Sequence, residues 1–199
     1  MKNTAAWARE IARQQLETPL PRRWAHTQGV ARQARTLAPI LGHQADLLEA
    51  AAWLHDIGYA PDLATTGFHP LDGARYLRDT HQADNHLCRL VAHHTCALAE
   101  ARERGLAESL ISEFGEEPPE LSDQLVYCDM TAGPSGEQLS VEDRLTEILS
   151  RYDANDPVAR YIAKCWPHMI DTVRRTHNEL LKGAHEQGST VLIDCSLRE

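Results

Sequence analysis

Five histidine and aspartate side chains occupy places where a helical sequence should put apolar residues, and imidazole nitrogens with carboxylate oxygens are what a divalent transition metal takes as donors. His26 falls on one helical stripe with Val30, Ala34, Leu37 and Leu41. His94 falls on another with Leu87, Leu90, Val91 and Leu98, whereas His93 points about 100° away and shares its face with His86 and Leu90. Asp129 lies on the face of Leu125, Val126 and Ala132, and His55-Asp56 emerges from the apolar run Ala50-Ala51-Ala52-Trp53-Leu54. Any one of these alone fits a hydrogen-bonded core histidine or a buried ion-pair acid. Burying a lone carboxylate is costly unless it is paired or binds a cation. Five such groups on four helices therefore point to a shared metal centre of Mn, Fe, Co or Ni, with Zn also compatible.

The elements that must position these groups are helices. Apolar residues recur at helical spacing through most of the chain, and no run alternates as a strand does. The spacing predicts helices over about 4–17, 24–41, 45–57, 69–80, 84–98, one or two over 100–113, then 122–131 and 140–152. Asp156-Pro157 and Trp166-Pro167 each look like the opening of a further helix. Residues 60–67 and 113–120 are expected loops, and Gly133-Pro134-Ser135-Gly136 stops the helix that carries Asp129. The expected architecture is all-α: one domain over 1–183, with C-terminal helices over 156–183 and a weakly ordered tail over 184–199. The remaining histidines stay outside the site, with His43, His81, His168 and His185 on the surface or in loops and His177 packing against its neighbours.

Composition narrows the function. The chain has 199 residues and a formal net charge of −9, which argues against a nucleic-acid polymer or an anionic membrane as partner. A small anionic substrate remains open, because bound cations reverse the local sign. The five cysteines form no C-x-x-C pair, so reduced thiols and a cytoplasmic setting are expected. Charges interrupt the N-terminal region at once, and no run of about 18 apolar residues exists to span a membrane.

The ordered set His26, His55-Asp56, Asp129 resembles the H…HD…D pattern of the HD superfamily. Arg23-Trp24-Ala25-His26-Thr27-Gln28-Gly29-Val30-Ala31 is similar to its first histidine helix, and Ala52-Trp53-Leu54-His55-Asp56-Ile57-Gly58 to its "L-L-H-D-I-G" segment. Phe68-His69-Pro70-Leu71-Asp72-Gly73-Ala74 resembles an "H-P-x-x-G-A" segment, and Val91-Ala92-His93-His94-Thr95 an "I-x-x-H-T" or "H-H" segment, of many HD hydrolases. The likeness covers about residues 20–150. The Gly-Tyr-Pro signature of the cyclic-dinucleotide phosphodiesterase branch is absent.

The resemblance implies an HD-domain helical bundle with a metal centre between core helices, and two divalent ions per chain. His26, His55, Asp56 and Asp129 would hold the first ion. Asp56 would bridge to a second held by His69 and His94, with His93 a further candidate. The implied reaction is hydrolysis of a small phosphorylated molecule, a nucleotide first among them, by metal-activated water, with Asp56, His69 and Arg23 as the catalytic set. The Lys that often follows the HD pair is missing, so Arg22, Arg23 and Arg75 are candidates for phosphate contact, each equally readable as a solvated surface residue. Asp72 stands either behind His69 or as a favourable charge in a first helical turn. The loop 131–136 either offers the hydroxyls of Thr131 and Ser135 to the substrate or simply ends a helix; Arg144 turning toward the site would favour the former. Two rivals share the fold: a mixed-valent di-iron oxygenase using four His and two Asp, and a nucleotide sensor without turnover. A homodimer is compatible with the sequence.

Overall fold

The computed structural model describes residues 4–186. Their regular structure is helical, apart from one isolated bridge between Ala132 and Gln138. The helices are α1 Thr4–Leu16, α2 Pro21–Thr36, α3 Ala38–Leu41, α4 Ala45–Leu54, α5 His69–His81, α6 Asn85–His93, α7 Ala97–Arg104, α8 Ala107–Phe114, α9 Ser122–Met130, α10 Val141–Leu149 and α11 Pro157–Glu186. The fold is thus all-α, and among the described residues no helix is long and apolar enough to cross a membrane.

Helix α4 is the axis. Leu48, Ala50, Ala51, Ala52, Trp53 and Leu54 are all buried, because α1, α2, α6 and α9 pack round it. Small residues make that enclosure feasible: α1 lays Ala5, Ala8 and Ala12 against it, so the two backbones approach closely. Asp46, in the first turn of α4, accepts the free N–H groups of Thr4 and Ala5 at 2.9 and 3.2 Å and fixes the start of α1. Helix α11 covers the other side of the bundle, lying along α9, α10, α7 and α3.

Several elements differ from the sequence expectation: the helix expected over 24–41 breaks at Leu37 into α2 and α3, and the one expected over 45–57 ends at Leu54. The helix expected over 84–98 ends at His93, where His94 turns extended (φ −60°, ψ 149°) and Thr95 and Cys96 take left-handed backbone angles before α7 begins. Trp166-Pro167 does not open a helix; Pro167 sits inside the 30-residue α11. The lost N–H donor is tolerated there because Trp166 and its neighbour His168 are not in the core. The tail expected over 184–199 lies, from residue 187 on, outside the described residues, and α11 itself continues to Glu186. Cys88, Cys96, Cys128 and Cys165 are free thiols, while Cys195 lies outside the described residues.

Candidate metal centre

The backbone brings the donors together by close approach at glycines. An added Cβ on Gly58 would lie 2.1 Å from the carbonyl oxygen of His69 and 2.6 Å from the nitrogen of Gly73. Only a residue without a side chain lets the turn after Asp56 rest on the first turn of α5, and that contact sets His69 beside Asp56. The loop before α5 is tied down by Asp72, which accepts from the Thr65 hydroxyl at 2.8 Å and from the Thr66 amide at 3.1 Å. Asp72 therefore serves the loop and lies in the first turn of α5, with no bond to His69. On the opposite side Gly136 (φ +83°) packs on Ala25, where a Cβ would meet the carbonyl at 2.5 Å. This presses the 131–136 loop onto α2.

Six side chains converge in two groups. His26, His55 and Asp129 form one; Asp56, His69 and His94 form the other, and the donor atoms within each lie within 4.8 Å of one another. Asp56 joins them. Its Oδ2 lies 3.3 Å from His55 Nε2 and 3.7 Å from His26 Nε2. Its Oδ1 faces His69 Nε2 at 3.3 Å and His94 Nε2 at 3.9 Å. Asp129 Oδ1 is 3.0 Å from His26 Nε2 and 3.9 Å from His55 Nε2.

The imidazole tautomers show what this arrangement lacks. His26 Nδ1 donates to the Gly133 carbonyl at 3.1 Å, His55 Nδ1 to Ala52 at 2.8 Å and His94 Nδ1 to Val91 at 2.6 Å. A carbonyl only accepts, so in the neutral ring the Nε2 of each carries a bare lone pair directed at the cluster. Burial holds His26, His94 and, most strongly, His69 below the usual histidine pKa, which favours the neutral form. The bare nitrogen of His26 then faces a carboxylate oxygen 3.0 Å away, while the bare Nε2 of His94 is left to accept from His69 Nε2 at 3.1 Å. Lone pairs opposed to lone pairs in a dry interior are reconciled by a cation between them. His55 Nε2 is buried, and Asp56 Oδ2 at 3.3 Å is the nearest carboxylate oxygen to it. The donor set fits divalent transition-metal ions.

Surrounding groups hold the carboxylates ionised. Burial would raise Asp56, but Arg23, His55 and His69 outweigh it and bring its pKa well below the usual carboxyl value. Asp129 is lowered in the same way, against its burial, by His26, His55 and Arg144. His55 is the exception among the histidines: burial pushes it down, yet Asp56 and Asp129 carry it above the ordinary value. Arg23 Nη1 donates to Asp56 Oδ2 at 2.7 Å while its guanidinium lies 4.0 Å over the Tyr59 ring, and Tyr59 stacks on His69 with ring centroids 3.9 Å apart.

Not every candidate joins. His93 is buried on the far face of α6, beside the backbone of Phe114 and Gly115 and outside both donor groups. Arg75 is ion-paired with Glu113, which also takes Arg78 at 2.8 Å. Thr131 turns its hydroxyl back to Tyr127 at 2.7 Å, and Ser135 is exposed, so neither hydroxyl of the loop meets the cluster. The loop contributes instead the Gly133 carbonyl and Pro134. Arg144 does turn inward: it is buried, with Nη2 3.5 Å from His26 Nε2 and 3.8 Å from Asp129. Sequence reasoning missed Thr95, whose hydroxyl donates to Asp129 Oδ2, and Tyr59, Glu100, Arg151, Tyr152 and Tyr161, which with the donors line an inner cavity of about 50 Å³. Thr95 closes one quoted motif and Tyr59 directly follows another; for the others the sequence carries no signal.

Residues 23–155 match the HD domain family. No curated protein and no solved structure matches the chain.

Proposed function

This chain belongs to the HD-domain family, and from that premise we propose that it is a metal-dependent phosphohydrolase acting on a small phosphorylated molecule, with nucleotides the first class to test. The observation that carries the reading is the meeting of two His/Asp donor groups at one carboxylate, Asp56, on the floor of a cavity. His26, His55 and Asp129 would hold one ion and His69 and His94 another, with one oxygen of Asp56 turned to each. Bound there, divalent ions supply Lewis acidity toward phosphoryl oxygens and lower the pKa of water. The chain's own part is preorganisation. Backbone carbonyls fix three imidazole tautomers, and Arg23 keeps Asp56 ionised while stacked on Tyr59. Arg23 keeps further N–H groups for a phosphate oxygen.

One observation favours a second reading. With His93 outside the cluster, the donors number four His and two Asp, the set that resembles the mixed-valent di-iron oxygenases. One experiment separates the two. Protein loaded with Mn, and separately with Fe under anaerobic conditions, is offered a panel of nucleotides and phosphoesters, with phosphate release and dioxygen uptake both followed. Phosphate release with Mn supports the hydrolase. Dioxygen uptake with Fe and a mixed-valent spin signal, without phosphate release, replaces it with the oxygenase. Tight nucleotide binding without either leaves the sensor.

A further inference from the structure

A second cavity of about 410 Å³ adjoins the metal centre. It shares Arg23, Arg144 and Arg151 with the inner cavity and is also bordered by His26, so the two lie side by side against the donor cluster. Arg22 completes a set of four arginines in its wall, and no carboxylate and no Phe, Tyr or Trp ring lines it. The acids that these arginines touch are Asp56, Asp129 and Glu147. Four guanidinium groups therefore meet three carboxylates, leaving an excess positive charge in a chain whose net charge is −9.

The groups in this wall are built in rather than scattered. Arg144 is only 4% exposed, yet its Nε has no hydrogen-bond partner. A buried, unpaired N–H on a cation is costly unless an anion completes it. Glu147 grips Arg144 Nη1 at 2.7 Å and Arg151 Nη2 at 3.1 Å, so one carboxylate orients two guanidinium groups. Helix α2 begins at the same wall: the Pro19-Leu20-Pro21 bend starts it without any side-chain cap, which leaves the Arg22 and Arg23 amides uncapped at residues that line this space. Arg22 makes no ion pair among the described residues.

We propose that the outer cavity is a second phosphate subsite, so that the molecule hydrolysed carries two phosphoryl groups, one placed at the metal centre and one among Arg22, Arg144 and Arg151. This rests on the hydrolase reading above and narrows it. The walls give no Phe, Tyr or Trp ring to stack a nucleobase and no Asn or Gln side chain to read its edge, so selectivity comes from the phosphates, and the organic part extends outward. Nucleoside diphosphates and sugar bisphosphates both meet that description; monophosphates do not.

The test uses the Mn-loaded chain and substrates paired to differ by one phosphate: AMP against ADP, and a hexose monophosphate against the bisphosphate. Binding of pyrophosphate and of orthophosphate is measured in parallel by calorimetry. The expected result is a preference in kcat/KM for the diphosphorylated member of at least about tenfold, the scale of a charged hydrogen bond. Arg22→Gln and Arg151→Gln should each raise the KM of that member and weaken pyrophosphate binding, with the metal content unchanged. Arg22 is exposed, so its variant keeps the fold. Equal kcat/KM within each pair, or no response to either substitution, overturns the subsite while leaving the hydrolase intact. Absence of any phosphoester turnover overturns the hydrolase alone. Pyrophosphate binding then decides the subsite: weakening in Arg22→Gln upholds it, and unchanged affinity removes it.

Discussion

The two donor groups look alike in composition but are built differently. Two of the three donors in the first group lie within helices, His26 inside α2 and Asp129 in the last turn of α9, and all three are buried, His55 standing directly after α4. Their partners are rigid: the Gly133 carbonyl, the Thr95 hydroxyl and the Arg144 guanidinium. Asp56, His69 and His94 instead stand at ends of elements: just past α4, at the first residue of α5, and in the break after α6. His69 is the partly exposed member and lies in the wall of the inner cavity. A group inside helices resists displacement, whereas one at helix ends adjusts with small backbone changes. We expect the first group to anchor an ion and the second to be the exchangeable, substrate-facing side.

Asp56→Ala gives the largest effect and erases the comparison, because this carboxylate serves both groups. Both ions should be lost by elemental analysis, and turnover should drop on the order of 10³-fold or more once water is no longer acidified. Retained metal and activity would refute the placement of the centre. His26→Ala against His69→Ala sharpens the contrast. The former strands Asp129 in the interior and should cost about 3 kcal/mol in urea unfolding. The latter should cost about 1 kcal/mol and remove only one ion. Equal costs would abolish the distinction between anchored and exchangeable groups. A third pair is His94→Ala and His93→Ala. The first should lose the second ion. The second should keep both ions and lose about 1 kcal/mol of packing, and metal loss from it would mean that α6 is rotated.

Acidity probes the difference most gently. Burial holds His26, His69 and His94 below the ordinary value of 6.5 in the folded chain. Below about pH 6.5 the unfolded chain therefore takes up protons that the folded chain refuses, and stability falls as acid is added. His55, raised by Asp56 against its burial, acts in the opposite sense: its contribution is present below the ordinary value and fades as pH rises through its folded pKa. Asp56 and Asp129, held low, release their share only below the ordinary carboxyl value of 3.8. Melting of metal-free protein should thus drop progressively between neutral pH and pH 5. The metal affinity should fall over the same interval, since protons compete for the Nε2 atoms. A melting temperature that is flat, or rises, on acidification contradicts the balance of the lowered histidines, these three together with His93 and His177, against the one raised.

Most of the fold was legible because amphipathic spacing is a local property. His26 and Asp129 announced themselves by standing on apolar stripes, and both are buried among those neighbours. His94 is instructive in another way. The stripe through Leu87, Leu90 and Val91 pointed to it, but α6 has already ended at His93, and a left-handed Thr95-Cys96 pair aims the side chain. Neither residue is the glycine that usually marks such a turn, so the break left no trace in composition. Pro167 misled for the converse reason: proline usually opens a helix, yet here one absorbs it. Arg75 was a candidate by charge alone and is held by Glu113. Arg151 drew no attention, because lining a cavity depends on how α10 is laid beside α2, which no window of sequence encodes.

The six donors span the chain from His26 to Asp129, and the contact between those two brings together residues 103 positions apart. An unfolded chain scatters them, so no partial site survives to compete for the ion. Metal binding is therefore coupled to the folding of the whole bundle. By mass action, free ion at a hundred times its dissociation constant adds about 2.7 kcal/mol to global stability. Opening α2, α4, α5 or α9 each releases a ligand, so the ion should slow hydrogen exchange across those four helices together. It should also shield the chain from proteases that attack opened forms. If the centre is loaded as proposed, the lifetime of this protein tracks the metal supply, and a shortage shows first as degradation.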